Sequence, residues 1–354
     1  MKENLHQKIF NINYDEKIGK GGFGDVYIAT DIKDNKLRKT LYAAKQINKE
    51  KEDINTIANE ILINTEFQNE NLVEFFGINI IDDNYFLIFE YCNGGDLAKN
   101  YNDYFNKTGK PFSEEILQKI LKDILNGLSC LHRHSIIHHD IKYGNILVSY
   151  KNEEDKRNLN LLNATFKLTD FGLSKCRLDY QGTKTGNIGG TLTFMPPCIL
   201  VEKKFTDENV VENDAIDMWA LGILAFRLII SQHPFLSPDE EALPQGQKQY
   251  ALYNKLRNGD YYIDLVNGNI NEISKEFLMF IDGLFKSEQR WRLSSEDCEY
   301  SRFITRKYSN FHFIDKYNYA QELSDQFIEG NGILKFNIYN EKKLKEYKEF
   351  SSIA

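Results

Sequence analysis

The sequence contains few cysteines, and they follow no pattern. Five cysteines occur in 354 residues, and no two of them have the spacing of a CxxC motif. An odd number without such spacing argues against a disulfide framework or a zinc site, and it favours a reducing compartment. The cysteines are Cys92, Cys130, Cys176, Cys198 and Cys298.

Long hydrophobic runs are missing as well. The longest, Met218–Phe226, ends at Arg227, whereas about 20 apolar residues are needed to cross a bilayer. The N-terminal stretch MKENLHQKIF lacks the apolar centre of a signal peptide. We therefore expect no membrane span and a soluble intracellular protein, cytoplasmic by default, with the nucleus left open.

A surplus of positive charge is also absent. Lysine and arginine number 44 against 52 aspartates and glutamates, which gives a net charge of −8. Without a basic excess to neutralise a phosphate backbone, we expect no nucleic-acid partner. Hydrophobic residues make up 42% of the chain, which is typical of a globular protein. The length suits one large domain or two lobes.

The hydrophobic pattern changes along the chain. Strand-like segments surround one helical stretch at 52–67, and helical spacing dominates after the connector CNGGDL. Ser113 is a predicted N-cap, and Asp217–Ile230 is apolar almost all round, as in a buried central helix. We predict an α+β protein with a small β-rich lobe containing one main helix and a larger α-rich lobe. The lobes join near Asn93–Gly95, and a cleft between lobes commonly binds a ligand.

Two polar segments and a tail stand apart from this pattern. Residues 150–164 and 203–215 are predicted to be solvated loops because they are rich in charge. Residues 304–354 contain one amphipathic and one charged segment. We expect this tail to pack onto the rest of the protein, with a partner-binding module as the alternative.

Three glycines near the N-terminus have a spacing associated with phosphate binding. Gly19, Gly21 and Gly24 form a G-x-G-x-x-G pattern, which alone is weak because tight hairpins and dinucleotide-binding loops share it. A dinucleotide-binding loop opens a helix, whereas here a strand, DVYIAT, follows. The pattern therefore favours a hairpin whose backbone N–H groups lie over phosphates.

Charged residues follow at the expected positions for a phosphate site. Lys45 ends the apolar segment YAAK, and Glu60 lies in the next helical stretch. With a phosphate-binding hairpin upstream, we interpret Lys45 as a phosphate ligand that the carboxylate of Glu60 positions. Asp170 and Asn145 would supply oxygen ligands of the kind that Mg²⁺ prefers.

Taken in order, these motifs resemble those of eukaryotic-type protein kinases of the serine/threonine type. The resemblance covers residues 14–303 and implies the bilobal kinase fold, with 14–92 as the N-lobe and 96–303 as the C-lobe. Residues 1–13 and 304–354 remain as extensions. The matching residues are Gly19, Gly21 and Gly24 in the glycine-rich loop, Lys45 and Glu60 in the ion pair, Asp140, Lys142 and Asn145 in the catalytic loop, Asp170 in the magnesium motif, and Asp217, Trp219 and Gly222 in the central helix.

The resemblance implies phosphoryl transfer from Mg·ATP. Asp140 would act as catalytic base toward the substrate hydroxyl, Lys142 would stabilise the transferring group, and Asn145 and Asp170 would hold Mg²⁺. The nucleotide would contact Gly19, Gly21, Gly24 and Lys45 through its phosphates, Val26, Ala43 and Leu147 on the faces of adenine, the gatekeeper Phe89, the hinge residues Glu90 and Cys92, and Asp96 at the ribose.

The resemblance also indicates the class of substrate. A lysine two residues after Asp140 is the serine/threonine pattern, and Thr191 in GGTLTF supports it. The implied partners are protein substrates with serine or threonine acceptors. Two alternatives remain: a pseudokinase-like ATP-binding scaffold, and a dual-specificity or tyrosine kinase.

One departure from the family concerns control by phosphorylation. His139 stands where an arginine usually pairs with an activation-loop phosphate, and a histidine is the poorer partner. We therefore expect only modest activation by phosphorylation, with Thr183 and Thr185 as the phosphorylation sites.

Two further departures concern packing. Cys198 replaces a glutamate that usually pairs with a buried arginine, which we expect to be Arg290. Asn64 replaces an apolar residue of the regulatory spine, and we expect its amide to find a hydrogen bond or else to weaken the packing of its helix.

The peptide-binding side also differs from arginine-directed relatives. Gly144 and Arg227 stand at positions where those relatives carry acidic residues, while Asp96 remains. We expect no strong preference for arginine upstream of the acceptor. Arg227 favours an acidic residue there unless it forms a salt bridge within the C-lobe.

Overall fold

The computed structural model describes most of the chain. The described residues are 9–20, 24–34, 40–49, 53–176, 191–202, 213–258, 260–264, 273–306 and 333–337. Among them, no helix is both long and apolar enough to cross a bilayer.

The N-terminal part forms an antiparallel five-stranded sheet with one helix. The strand order is β1-β2-β3-β5-β4, and β1 begins four residues before the predicted start of the domain at residue 14. The elements are β1 (Phe10–Lys20), β2 (Asp25–Asp31), β3 (Leu41–Asn48), α1 (Ile54–Glu66), β4 (Phe75–Ile81) and β5 (Asn84–Glu90).

Alternation along β3 sends its side chains to two separate clusters. Tyr42 and Ala44 join one apolar cluster, which Phe10 covers at a ring distance of 4.9 Å from Tyr42. Ala43 and Ile47 join the other, which also contains residues of α1. Because side chains alternate across a strand, Lys45 points to the same side as Ala43 and Ile47. The strand period thus directs its ammonium group toward helix α1.

The C-terminal part is built on helices around a central apolar one. The central helix, α5 (Ala215–Ile230), begins two residues before the predicted start and is almost wholly buried, with Trp219 stacked on Phe235 at 5.3 Å. Ser113 caps helix α3 (Glu114–Arg133) as predicted, since its hydroxyl accepts from the N–H of Ile116. The helices are α2 (Leu97–Thr108), α3 (Glu114–Arg133), α4 (Glu153–Asn158), α5 (Ala215–Ile230), α6 (Pro238–Glu241), α7 (Gln245–Asn258), α8 (Lys275–Leu284), α9 (Ser295–Glu299) and α10 (Arg302–Thr305).

Short strands carry the loops that face the cleft. β6 pairs with β8, β8 with β9, and β7 with β10, all antiparallel. Their bounds are β6 (Gly95–Asp96), β7 (Ile136–Ile137), β8 (Ile146–Tyr150), β9 (Ala164–Leu168) and β10 (Lys175–Cys176).

The connector between the lobes is fixed to the C-lobe. Asn93 exchanges two hydrogen bonds with the backbone of Tyr150, at 2.8 and 3.1 Å. A Cβ on Gly94 would lie 2.7 Å from the carbonyl oxygen of Val148, so the close approach of the two backbones requires glycine here.

The prediction of a solvated loop at 150–164 is wrong in part, because this segment contains helix α4. Asp155 is buried, and its carboxylate accepts from the amides of Asn152 and Asn160 at 2.8 and 2.7 Å. Local amide–carboxylate bonds therefore order a segment that its charge alone marks as a loop. Most of the second predicted loop, 203–212, lies outside the described residues.

One segment of the tail pairs with the C-lobe. Strand β12 (Ile333–Asn337) runs antiparallel to β11 (Asp260–Asp264), with Ile333 opposite Asp264. This backbone pairing agrees with the expectation that the tail packs onto the rest of the protein. Residues 307–332 and 338–354 lie outside the described ranges.

Candidate active site

A buried lysine joins three elements at the cleft. The Nζ atom of Lys45, on β3, lies 2.7 Å from Oε1 of Glu60 on α1 and 2.8 Å from Oδ1 of Asp170, which follows β9. Glu60 is only 2% exposed. The structure therefore brings together three residues that the sequence separates by as many as 125 positions.

Electrostatics keep this lysine charged. Burial by itself would lower the pKa of Lys45, but the carboxylates of Glu60 and Asp170 outweigh it and hold that pKa above its ordinary value. An ammonium group fixed between two carboxylates is a permanent positive charge at the floor of the cleft.

The segment from Asp140 to Asn145 forms a compact polar loop. The Oδ2 atom of Asp140 accepts from Lys142 Nζ at 2.5 Å and from Asn145 Nδ2 at 2.9 Å. Its Oδ1 atom accepts from both the backbone N–H and the hydroxyl of Thr191, at 3.1 and 3.0 Å. Four donors from three residues hold the carboxylate in one orientation, and the sequence motifs point to all three of these residues.

The central helix α5 is hydrogen-bonded to the backbone just before this loop. Asp217, on α5, accepts from the backbone N–H groups of His138 and His139, each at 2.8 Å, and from His132 Nε2 at 2.9 Å. Burial alone would raise the pKa of Asp217, but the hydrogen bond and charge of His132 hold it below its ordinary value. The ionised carboxylate can therefore fix His139 in its left-handed backbone conformation, with φ 68°.

His138 links the loop to the segment around Asp170. Its Nδ1 accepts from the N–H of Asp140 at 3.3 Å, so the ring proton lies on Nε2, which is 3.1 Å from the carbonyl oxygen of Thr169. The ring also lies 5.2 Å from that of Phe171. This role of His138 was missed in the sequence, where the histidine had only its place before Asp140 to mark it.

Two of the three glycines, Gly19 and Gly24, lie among the described residues, close to strands β2 and β3. Gly19 and Val26 are opposite each other in the β1–β2 register, and Val26 is opposite Lys45 in the β2–β3 register. A Cβ on Gly24 would lie 1.9 Å from the carbonyl oxygen of Gln46, so only glycine fits there. Gly21 lies outside the described residues.

Four of the predicted adenine-binding residues lie in or against one apolar cluster. Phe89 and Cys92 are buried in it, and Ala43 and Leu147 pack against it from the two lobes. Burial raises the pKa of the Cys92 thiol to about 12, helped by the nearby carboxylate of Glu90, so this cysteine is a neutral packing residue.

Two polar residues at the hinge are engaged elsewhere through their side chains. Asp96 caps α2, because its Oδ1 accepts from the N–H of Lys99 at 2.7 Å. Glu90 turns away toward Lys167, at 2.6 Å, and also accepts from the N–H of Glu74. No sequence signal could reveal the Lys167–Glu90 pair, whose members are 77 residues apart.

The sequence was compared with models of known protein families. A model of the protein kinase domain matches residues 12–304. The chain belongs to the protein kinase family. The predicted bilobal α+β kinase fold is thereby confirmed. Members of this family generally use ATP with Mg²⁺.

The relatives are kinases of the serine/threonine type. Serine/threonine-protein kinase CLA4 of Candida albicans is 32% identical over 297 residues, which cover 82% of this chain and 26% of that protein. Serine/threonine-protein kinase pakH of Dictyostelium discoideum is 33% identical over 221 residues, which cover 62% of this chain and 37% of that protein. A probable serine/threonine-protein kinase of the same organism is 27% identical over 360 residues, which cover 85% of this chain and 72% of that protein. This kinase chain thus spans about a quarter of the length of its Candida relative.

The prediction that Arg290 is the buried arginine of the kinase C-lobe is wrong. Arg290 is exposed and pairs with Glu288 at 2.6 Å. Arg292 is buried instead, and it donates to the carbonyl oxygens of Ala215, Lys286 and Ser287 at 2.6, 2.7 and 3.2 Å. Backbone carbonyls therefore accept the guanidinium where the sequence lacks the usual glutamate.

The other substituted positions also have partners. The thiol of Cys198 accepts from Nε2 of Gln289 at 3.0 Å. The amide of Asn64 donates to the carbonyl oxygen of Glu60 at 2.7 Å, within its own helix, as expected. His139 is buried and lines a small cavity with Met195 and Pro196. None of these substitutions changes Asp140, Lys142 or Asn145.

Arg227 is paired within the C-lobe. Its guanidinium lies 2.7 Å from Oε1 of Glu241 and 5.9 Å from the ring centre of Tyr143. Because Glu241 already neutralises this charge, the expectation that Arg227 selects acidic substrates loses its basis. The predicted phosphorylation sites, Thr183 and Thr185, lie outside the described residues.

Proposed function

We propose that this chain is a serine/threonine protein kinase that transfers the γ-phosphoryl group of Mg·ATP to protein hydroxyls. The observation that carries the proposal is the position of Lys45, bonded at once to Glu60 and Asp170. A cation held in place before the nucleotide binds neutralises phosphate charge without reorganisation. The presence of Asp140, Lys142 and Asn145 beside it disfavours the alternative of an inactive scaffold.

The surrounding residues suit an adenine nucleotide. Val26, Ala43 and Leu147 offer apolar surfaces from both lobes, and Phe89 is the gatekeeper at the back. Because the side chain of Glu90 is bonded to Lys167, we propose that the hinge meets adenine through its backbone groups. Asp96 retains one carboxylate oxygen beyond its capping bond, and we assign that oxygen to the ribose.

The donor set also fits Mg²⁺. The nitrogen of the Asn145 amide is bonded to Asp140, which leaves its carbonyl oxygen as the ligand atom. Asp170 bonds Lys45 through Oδ1 and offers Oδ2. Mg²⁺ takes one or two protein oxygens and the rest from phosphate and water. When bound, the ion neutralises the charge that develops on the phosphates.

The catalytic loop would complete the transfer. Asp140 would orient the acceptor hydroxyl and take its proton as the new oxygen–phosphorus bond forms. The bond between the γ-phosphorus and the β–γ bridging oxygen would break in the same step, and ADP would leave. Lys142, held beside Asp140, neutralises the transferring group. In this class of reaction most of the rate enhancement comes from positioning and charge stabilisation.

Substitution of the proposed base tests this function. With labelled ATP, Mg²⁺ and a mixed peptide library, we expect transfer to serine and threonine, and a loss of at least about 100-fold in kcat for Asp140→Asn. Asp103→Asn, an exposed change on α2, is the matched control and should retain activity. Stabilisation of the wild-type chain by Mg·ATP without any transfer would indicate the scaffold, and phosphotyrosine in the products would indicate dual specificity.

A second prediction concerns the substrate sequence. Gly144 offers no carboxylate, and Arg227 is neutralised by Glu241. One oxygen of Asp96 caps α2, and the other is the one that we assign to the ribose. Two opposite charges 4 Å apart attract each other by roughly 1 kcal/mol in water and by about 4 kcal/mol in a partly buried groove. We therefore expect no strong preference for arginine two or three residues before the acceptor. A peptide array in which such arginines give the strongest signal would contradict this expectation.

The tail has a simple role in this proposal. We propose that residues 304–354 extend the C-lobe, because β12 pairs with β11. A partner bound by the tail remains the alternative, and deletion of residues 307–354 would lower the melting temperature only if the tail packs on the C-lobe.

A further inference from the structure

Helix α1 carries Glu60, yet it has few stabilising features of its own. Asp53 at its N-cap makes no side-chain capping bond, and the first turn contains no acidic residue. Capping and charge at the first turn normally help to fix a helix end. The position of α1 must therefore depend on contacts with the rest of the protein.

One such contact comes from the residue next to Glu60. Nδ2 of Asn59 donates to the backbone carbonyl oxygen of Ser174 at 2.6 Å, across 115 residues of sequence. A carbonyl oxygen can only accept, so the amide nitrogen, and not its oxygen, must face Ser174. The bond ties the helix to the segment that follows Asp170.

Ser174 is itself fixed to the catalytic loop. It is 2% exposed, its N–H donates to the carbonyl oxygen of Phe171 at 3.0 Å, and its hydroxyl donates to that of His138 at 3.2 Å. The next two residues form β10, which pairs with β7 immediately before the loop. The carbonyl group that Asn59 contacts therefore moves with the catalytic loop.

We propose that Asn59 is a positioning residue: through Ser174 it holds helix α1, and with it Glu60, against the catalytic loop. The proposal rests on the proposed kinase function. Asn59 bonds none of the reacting groups and acts through Glu60 and Lys45. Asn64 makes its amide bond within the helix. Ile63 of α1 and Phe171 share one apolar cluster, and the bond of Asn59 adds a hydrogen bond between α1 and the segment after Asp170 to that packing.

This tie joins an amide to a backbone carbonyl group and needs no phosphate. Helix α1 can therefore be held in place by residues of the unmodified chain. It follows that phosphatase treatment should reduce the activity of the wild-type chain less than that of a chain lacking the Asn59 amide.

Two substitutions test the proposal on the full chain. Asn59→Ala removes the donor, and Asn59→Asp keeps the shape but places a carboxylate against a carbonyl oxygen. We expect kcat to fall about three- to tenfold for the first and by about tenfold or more for the second, with the KM for peptide unchanged. Asn55→Ala is the control, since Asn55 is exposed on the same helix and bonds only its neighbour Asp53.

Activity is measured well below the melting temperature of each variant, with hydrogen exchange of the Ile57–Ile63 amides as a second readout. Faster exchange together with a lower kcat in both Asn59 variants, but not in Asn55→Ala, supports the proposal. A lower melting temperature with kcat and exchange unchanged would overturn it. If the wild-type chain transfers no phosphoryl group, the kinase function fails, and exchange alone decides whether Asn59 holds the helix.

Discussion

Asp170→Ala and Lys45→Ala are each expected to lower kcat at least about 100-fold at saturating Mg·ATP. Asp170 is the proposed metal ligand, and Lys45 supplies the charge that is proposed to meet the phosphates. Each variant removes a group that is already in place between β3, α1 and β9. Rates of phosphate transfer to a peptide, measured over a range of ATP concentrations, check this expectation.

The two variants should differ in stability. Without Asp170, Lys45 keeps its bond to Glu60, so the melting temperature should stay close to that of the wild type. Without Lys45, the buried carboxylate of Glu60 loses the cation that it pairs with, which costs about 3–5 kcal/mol, and the melting temperature should fall. Lys99→Ala, which removes an exposed ion pair with Asp103, is the control for both measurements. A near-wild-type kcat in either active-site variant would refute the assignment.

Arg292→Met is also expected to lower stability strongly. This change keeps much of the side-chain volume but leaves the carbonyl oxygens of Ala215, Lys286 and Ser287 without their donor. It also removes the cation that lies 5.0 Å from the ring centre of Trp219. An unsatisfied buried acceptor costs about 1–3 kcal/mol, so we expect a loss of about 3 kcal/mol or more in the free energy of unfolding.

Arg290→Met is the matched control. Its side chain is 58% exposed and pairs with Glu288 on the surface, and such pairs contribute about 0–1 kcal/mol. Thermal and denaturant unfolding of both variants would compare them directly. If Arg290→Met lowers stability as much as Arg292→Met, the identification of Arg292 as the buried arginine is wrong.

The error over Arg290 shows where a sequence pattern loses precision. Both arginines flank Trp291 in the short stretch QRWRL, and composition does not distinguish them. The chain turns at Gln289–Trp291 and then extends, which leaves Arg290 on the surface and carries Arg292 under α5. Which of two arginines two residues apart becomes buried depends on how the turn packs against the rest of the protein. Neighbouring residues in the sequence do not reveal that packing.

Helix α4 illustrates a similar limit. The many charges of residues 150–164 indicate a solvated loop, and several of those side chains are indeed exposed. The amides of Asn152 and Asn160 nevertheless converge on Asp155 and order the segment. Local propensity describes the average behaviour of such residues, whereas a particular set of hydrogen bonds depends on the final geometry.

The sequence by itself determined the family, the two-lobed architecture and the identity of the groups that meet at Lys45. These follow from motifs of a few residues and from helical and strand periods, which depend on neighbours in the chain. The tertiary structure alone decided which partners the substituted positions find, Glu241 for Arg227 and Gln289 for Cys198, and that Asn59 bonds Ser174. Those partners are distant in sequence and are selected by the burial of whole elements, so no local pattern can specify them.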